Sequence, residues 1–210
     1  NDRIPAAADL AAARRRVGYD KLELRDAPPT LRKTHADVYV DLSAIAKGYG
    51  VDRVSELLKA HGLEHHLVEI GGELRARGHN ARGERWRVAV ERPISIGRSL
   101  GPVLALDAAA LATSGGYRNF FTIGGRRYAH IIDPVSGWPA HNRAASVSVV
   151  ADSCMLADAW ATALQVQGPE RGMATAERLG LAVLFIVEHE DRLEERASRG
   201  FHTYREVDPP

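Results

Sequence analysis

Residues 145–168 read ASVSVVADSCMLADAWATALQVQG, and this stretch contains both kinds of regular structure from which the fold is built. Its first six residues, 145–150, are rich in valine and predict a strand. Ser153 then opens a predicted helix that runs to about Gln167, where Gly168 and the proline after it end the helix. The stretch therefore joins a sheet strand to a helix, and the segments on either side of it decide the fold class.

Most of the chain outside this stretch has the pattern of strands. We predict one helix over residues 5–16 and another over residues 170–179. Between them, a third predicted helix begins after residue 42, with Ser43 as its cap, and ends at Gly62. Predicted strands cover residues 21–25, closed by Pro28 and Pro29, and then 38–42, 67–70, 73–77, 86–90, 100–106 and 181–187. A hairpin is predicted over 117–132, because Gly124 and Gly125 suit a tight turn. Many strands with three or four helices indicate an α+β fold.

Composition excludes several classes of protein. The chain has 210 residues, 28 Lys and Arg against 27 Asp and Glu, and 45% hydrophobic residues, which argues against disorder and against a binder of nucleic acid backbones. A single cysteine, Cys154, rules out a disulfide framework. No apolar run approaches the roughly 18 residues that span a bilayer. Without repeats or linkers, we expect one domain over residues 1–210.

A first candidate site lies at residues 41–52. Asp41, the start of the following helix and Lys47 bring together a carboxylate, free backbone N–H groups and an ammonium, a combination that attracts anions such as phosphate. Gly48 and Gly50 interrupt the helical pattern, which suggests a close approach to the backbone. An ordinary amphipathic helix capped by Ser43 explains the same residues equally well.

A second candidate site combines residues 113–119 with residues 128–139. In the predicted hairpin both segments reach the same edge of the sheet, so that a hydroxyl, glycines, His130 and Asp133 converge there. The alternative is that Asp133 begins an ordinary Asp-Pro-x-x-Gly turn and that His130 is structural.

The third candidate pair is Asp158 and Thr162, which lie four residues apart on the predicted helix and therefore share one face. A carboxylate and a hydroxyl are hard oxygen ligands, the type that Mg²⁺ takes. The alternative is a threonine bonded to its own helix beside a solvated Asp158.

Taken together, these segments resemble the ApbE-like flavin transferases, the FAD:protein FMN transferase family. The resemblance is carried, in the family's order, by VDLSAIAKGYGVDRV (40–54), EIGGELRARG (69–78), ATSGGYRNFFTIGGRRYAHIIDPVSGWPA (112–140) and SCMLADAWATALQVQG (153–168). It implies a T-fold-related α+β domain with a mixed, largely antiparallel sheet and packed helices. It also implies a Mg²⁺-dependent transfer of FMN from FAD to a threonine hydroxyl of a client protein, with release of AMP.

The resemblance assigns roles to individual residues. It implies that FAD binds at Asp41, Lys47, His130 and Ile131, and that the metal meets the side chains of Asp158 and Thr162 and the carbonyls of Ala44 and Ala161. For phosphoryl transfer these residues would mainly position groups and offset charge. His130 or Asp133 is the candidate base for the incoming threonine. Cys154 is expected to be helix filler rather than a nucleophile.

Two alternative functions stay open at this point: a hydrolase that releases FMN and AMP from FAD, and a non-catalytic flavin-binding or assembly module. Family members carry a longer segment before the D-L-x-x-x-x-K phrase, and this chain begins without methionine, so we expect a processed or excised piece that lacks part of that segment. The resemblance further implies a periplasmic or cell-envelope location, with peripheral membrane association and a lipid anchor in the precursor.

Overall fold

The structure is a computed structural model that describes residues 4–93, 99–116, 120–123, 126–129, 131–190 and 192–206. Its helices are α1 (Ala7–Arg14), α2 (Ala46–Ala60) and α3 (Cys154–Leu179). The strands of the first half are β1 (Leu22–Asp26), β2 (Pro29–Lys33), β3 (His66–Ile70), β4 (Glu73–Arg77), β5 (Trp86–Arg92) and β6 (Ser99–Leu106). Those of the second half are β7 (Ala109–Gly115), β8 (Phe120–Ile123), β9 (Arg126–Ala129), β10 (Ala144–Ala151), β11 (Ala182–Glu188) and β12 (Leu193–Ala197).

A six-stranded sheet in the order β12-β11-β10-β7-β4-β3 is the centre of the fold. Each neighbouring pair in it is antiparallel, as in the register that places Val149 opposite Ala112 on one side and Val183 on the other. Separate antiparallel pairs are formed by β1 with β2, β5 with β6, and β8 with β9. The α+β class and the largely antiparallel sheet predicted from the sequence are thus confirmed.

The central sheet is buried on both faces, because its strands supply alternate side chains to two hydrophobic clusters. On β11, Val183 and Phe185 face the cluster that includes Leu164 of α3, whereas Leu184 faces the cluster that includes Leu104 of β6. Strands buried on both faces have nearly continuous apolar sequences. The uninterrupted apolar run of β11 therefore follows from its central position in the fold.

Helix α3 begins and changes direction at the residues that the sequence indicated. The Ser153 hydroxyl accepts a hydrogen bond from the N–H of Leu156, which satisfies a free first-turn donor. At Gly168 the backbone leaves the helical region with φ 77° and ψ 173°, and Pro169 follows. A positive φ angle is easily adopted by glycine. The predicted break between two helical segments is therefore a sharp kink within α3.

Three local predictions are wrong. Residues 38–42 are irregular rather than a strand, and none of the described strands pairs with them. Pro29 does not close a strand but begins β2, since an edge strand tolerates a missing N–H at its first residue. Ser43 does not cap α2: the cap position is Ile45, which has no side-chain cap hydrogen bond.

Strands β2, β7 and β12 were not predicted. β7 reads AALATSG, a run of small residues without clear alternation, and it lies in the middle of the sheet. β12 reads LEERA, a charged strand at the sheet edge. Among the described helices none is long and apolar enough to cross a bilayer.

Candidate functional site

A polar cleft of about 880 Å³ lies where the central sheet meets α2, α3 and β5. Its volume is in the range of cofactor sites. Its lining comes from the start of α2, the turn between β3 and β4, β5, the end of β7 and the start of α3. The lining includes five carboxylates and one ammonium: Asp41, Glu69, Glu73, Glu91, Asp158 and Lys47. Within the described lining, negative charge is therefore in excess.

The segment before α2 contributes Asp41, Ser43 and Ala44 to the cleft. Asp41 accepts hydrogen bonds from the hydroxyl and the backbone N–H of Ser43, the latter at 2.8 Å. These two bonds, the hydroxyl above all, hold the pKa of the Asp41 carboxyl below its usual value. Ser43 thus orders an exposed loop carboxylate, two residues before the cap position of α2.

Lys47 points into the cleft from the first turn of α2 and forms an ion pair with Glu73. The distance from Lys47 Nζ to Glu73 Oε1 is 2.6 Å, with 49% of the lysine side chain exposed but only 2% of the glutamate. The other oxygen, Glu73 Oε2, is buried without a hydrogen-bond partner in the described structure. Burial raises the pKa of Glu73 above its usual value, Lys47 opposes the rise, and the negative charge of Asp158 adds to it.

Glu73 is a site residue that was not predicted from the sequence, although it lies within the quoted segment EIGGELRARG. The signal was its position directly after Gly71 and Gly72, which have φ angles of 64° and 104°. Such a turn brings a strand's first residue back beside the preceding helix. A charged residue at that place is buried against α2, and Lys47 supplies the opposite charge.

Asp158 reaches the cleft from the second turn of α3 and is 6% exposed. The N–H of Gly48 donates to Asp158 Oδ2 at 3.1 Å, which connects α2 to α3. Burial raises the pKa of Asp158 above its usual value, although the Gly48 N–H and the charge of Lys47 lower it. Thr162, one turn further along α3, also lines the cleft. Asp158 and Thr162 thus share one face, as the spacing predicted.

Close contact between α2 and α3 depends on the missing side chain of Gly48. A methyl group there would lie 2.6 Å from the carbonyl carbon of Cys154 and 2.8 Å from Met155 Cα. Gly50 is different, since a methyl group would meet only Ile70 Cδ1, at 3.6 Å. Of the two glycines that the sequence analysis singled out, Gly48 is therefore the one that a close backbone approach requires.

The remaining predicted site residues are placed differently. Ile131 lines the cleft, whereas His130 lies outside the described residues. Ala161 is buried in the cluster around Leu164 and is not among the lining residues. Asp133 is likewise not among them. Its carboxylate accepts hydrogen bonds from the N–H groups of Val135 at 3.0 Å and Ser136 at 3.3 Å, as in an ordinary Asp-initiated turn.

Electrostatics distinguish two further groups near the site. The backbone N–H of Val135 is the main cause of a pKa of Asp133 below its usual value, which makes this carboxylate a weak base. Cys154 is fully buried, and burial together with Asp52, Glu73 and Asp158 raises the pKa of its thiol to about 12. A thiol with such a pKa is not ionised at neutral pH, so Cys154 is a packing residue.

The fold and the cleft define a class of protein: an α+β domain whose antiparallel sheet carries a polar ligand site at the junction of two helices. The chain belongs to the ApbE family, whose family model matches residues 1–185. Six of the residues to which the resemblance gave ligand roles come from three separate sequence segments and line this one cleft: Asp41, Ala44, Lys47, Ile131, Asp158 and Thr162.

Relatives with assigned names share most of this chain. The FAD:protein FMN transferase of Vibrio cholerae is 46% identical over 203 residues, which is 97% of this chain and 60% of the relative. That of Haemophilus influenzae is 39% identical over 209 residues, which is 98% of this chain and 60% of the relative. The chain thus spans about 60% of the length of these curated relatives.

Solved structures agree with the sequence relatives. The flavin transferase ApbE from Vibrio cholerae superimposes with a TM-score of 0.87 and 43% identity, covering 97% of this chain and 64% of that chain. The ApbE protein from Thermotoga maritima has a TM-score of 0.85 and 28% identity, covering 98% and 65%. The fold is therefore that of the ApbE flavin transferases.

Proposed function

We propose that this chain transfers FMN from FAD to a threonine hydroxyl of a client protein, with release of AMP and with dependence on Mg²⁺. The observation that carries the proposal is the meeting of Lys47 and Asp158 in one cleft of about 880 Å³. The names of its relatives support flavin transfer from FAD as the class of reaction.

A divalent cation fits the charge of this cleft. Even without Glu91, the described lining has four carboxylates against one ammonium, so a pyrophosphate would be repelled unless cations accompany it. Glu73 Oε2 is buried without a hydrogen-bond partner in the described structure, and burial raises the pKa of Asp158, so a cation nearby would favour the ionised form of both carboxyls. A bound Mg²⁺ would supply the compensating charge for phosphate oxygens.

The donors available are those of a magnesium site that shares its ion with the substrate. Asp158 and Thr162 would hold the ion through side-chain oxygens, and Ala44 through its carbonyl. The part of the chain that the structure describes contains no group of three His, Cys, Asp or Glu residues suited to a metal. Mg²⁺ commonly has few protein ligands and completes its shell with phosphate and water. A site in which Asp158 is the one carboxylate ligand is therefore consistent with the proposal.

The chain's own residues would do the rest by positioning and charge. Lys47 presents a half-exposed ammonium to the phosphates, and Glu73 holds that ammonium in place. The positive end of the α2 dipole, beside Ala44, would favour the developing negative charge of the departing AMP, while the N–H groups of Ala46 and Gly48 are bonded within the protein. Ile131 offers an apolar surface in the same cleft. His130 stays the predicted base for the threonine hydroxyl, and Asp133 is disfavoured in that role by its lowered pKa.

A direct experiment is to incubate the chain with FAD, Mg²⁺ and a client that carries an Asp-x-x-x-Thr acceptor. We expect flavin fluorescence on the client that survives denaturing electrophoresis, together with one AMP per flavin transferred. Asp158→Asn should abolish both products, whereas Asp152→Asn, at an exposed position just before α3, serves as the matched control. Absence of covalent flavin across several clients would refute the proposal.

Location is a separate proposal. The family resemblance supports a cell-envelope protein acting on envelope client proteins. Fractionation of cells that produce the full-length protein, followed by detection of the chain in envelope and cytoplasmic fractions, tests it. Recovery in the cytoplasm alone would contradict it.

A further inference from the structure

Asp52, in the middle of α2, is a buried carboxylate that receives hydrogen bonds from two other elements. Arg75 of β4 donates to Oδ1 at 2.6 Å, and the N–H of Cys154 donates to the same oxygen at 2.9 Å. The Ser153 hydroxyl donates to Oδ2 at 2.8 Å and the N–H of Met155 at 3.0 Å. With 6% of its surface exposed, Asp52 exchanges nearly all of its hydration for these four donors.

These bonds fix the start of α3 against α2. The first N–H groups of a helix have no partner within the helix. Asp52 supplies two of those partners from a different helix, and its negative charge lies at the positive end of the α3 dipole. Arg75 balances the negative charge of Asp52 and connects helices α2 and α3 to the central sheet.

The same two helices meet again at the candidate metal ligand. Asp158 lies one turn after Cys154 in α3, and Gly48 lies one turn before Asp52 in α2. At this second level the Gly48 N–H donates to Asp158 Oδ2. The offset between α2 and α3 therefore determines where the Asp158 carboxylate stands, and the bonds of Asp52 determine that offset.

We propose that Asp52, with Arg75 as its charge partner, is a positioning residue that holds Asp158 in the arrangement needed to bind a divalent cation. This inference rests on the proposed function, because that function assigns the cation to Asp158. Asp52 itself does not line the cleft, so its influence on the cation is indirect.

Asp52 can hold Asp158 in this arrangement only when the Asp52 carboxyl is ionised. Burial acts to raise its pKa, but the N–H groups of Met155 and Cys154, the Ser153 hydroxyl and Arg75 together hold the pKa below its usual value. Asparagine has nearly the same volume but only one acceptor oxygen. Asp52→Asn therefore keeps the packing and removes the acceptor for either Cys154 or Met155.

Binding of Mn²⁺ to the chain, followed through the electron paramagnetic resonance signal of the free ion, tests the proposal without any turnover. Loss of a group that orients a metal ligand typically weakens metal affinity by about 10- to 100-fold. We expect Asp52→Asn to weaken Mn²⁺ binding by about tenfold, the lower end of that range. Ser198→Ala is the matched control.

Ser198 is as deeply buried as Asp52, and its hydroxyl is bonded to the N–H of Val183 at 2.9 Å and to the carbonyl of Leu181 at 2.7 Å. Its loss removes buried hydrogen bonds far from the α2–α3 contact, so Mn²⁺ affinity should stay unchanged. Equal Mn²⁺ affinity in Asp52→Asn and the parent chain would overturn the inference.

The variant Asp158→Ala tests the proposed cation site separately from the role of Asp52. Loss of Mn²⁺ binding in this variant supports the proposed cation site, and the Asp52 comparison is then decisive. Unchanged binding in Asp158→Ala overturns the proposed site and the inference with it. If Asp52→Asn does not fold, Ser153→Ala takes its place, since it removes only one of the four donors; unchanged Mn²⁺ affinity in that variant would overturn the inference.

Discussion

Replacing Lys47 by methionine should destabilise the protein in a way that depends on pH. The substitution keeps most of the aliphatic chain but removes the ammonium that lies 2.6 Å from Glu73 Oε1. Glu73 is then a carboxylate with 2% of its side chain exposed and no cation beside it. Since its pKa is already raised by burial, loss of Lys47 should raise that pKa further.

The size of the effect follows from the burial of each partner. Removing one partner of a fully buried ion pair costs about 3–5 kcal/mol. Because Lys47 is half exposed, solvent already screens the pair, and we expect a loss of about 2 kcal/mol at pH 7. A group whose pKa is raised on folding weakens the fold as the pH rises from its unfolded pKa through its folded pKa. The deficit should therefore be smaller at pH 5 than at pH 7, because a carboxyl with a raised pKa takes up a proton more readily as the pH falls.

Urea unfolding at pH 5 and pH 7 measures both values. The double variant Lys47→Met with Glu73→Gln should recover most of the loss at pH 7, because no buried charge is left. Lys59→Met, at an exposed lysine in the last turn of the same helix, should change stability by less than about 0.5 kcal/mol. A deficit of equal size at both pH values, or strictly additive effects in the double variant, would refute the assignment of Glu73 as a buried carboxylate held by Lys47.

Three further outcomes are expected. Gly48→Ala should lower the free energy of unfolding by about 1–3 kcal/mol, because the added methyl group overlaps the Cys154 backbone. Gly50→Ala should leave the free energy of unfolding unchanged or raise it. Chemical denaturation compares the two variants, and equal effects would contradict the close contact at Gly48. The Cys154 thiol, with a pKa of about 12, should react with a thiol reagent only under denaturing conditions, and rapid labelling of the native chain would contradict its burial. Because the pKa of Asp52 is lowered on folding, the stability that its ionised carboxylate contributes is present above its unfolded pKa and is lost as the pH falls through its folded pKa. The free energy of unfolding should therefore fall less steeply between pH 5 and pH 3 in Asp52→Asn than in the parent chain. Parallel pH profiles of the two proteins would contradict the prediction.

Sequence patterns predicted those parts of the fold in which local signals and packing agree. The apolar run of β11 and the Ser153 start of α3 are examples, because burial on both faces and a capping hydroxyl each leave a local trace. β7 is composed of small residues and β12 of charged ones, so neither has the alternation that identifies a strand. The strand conformation of β7 depends on β4 and β10, which are distant in the sequence, whereas β12 pairs with β11 directly before it.

The same distinction applies to the candidate site. Asp158 and Thr162 could be paired from spacing alone, since four residues bring two side chains onto one helix face. Their meeting with Lys47 depends on how α2 and α3 pack, which no spacing rule provides. Glu73 and Asp52 were missed for this reason: each is recognisable only by the buried partner that the tertiary fold places beside it.

The hydrogen bond from Gly48 to Asp158 joins residues 110 positions apart. Closing so long a segment of chain carries an entropic cost that only the assembled sheet and helices can offset. The contact between Gly48 and Asp158 therefore has no local precursor during folding and arises together with the global structure. Hydrogen exchange at the Gly48 amide would accordingly report on the completion of folding, and a chain that loses α2–α3 docking by partial opening would lose the site before it loses most of its strands.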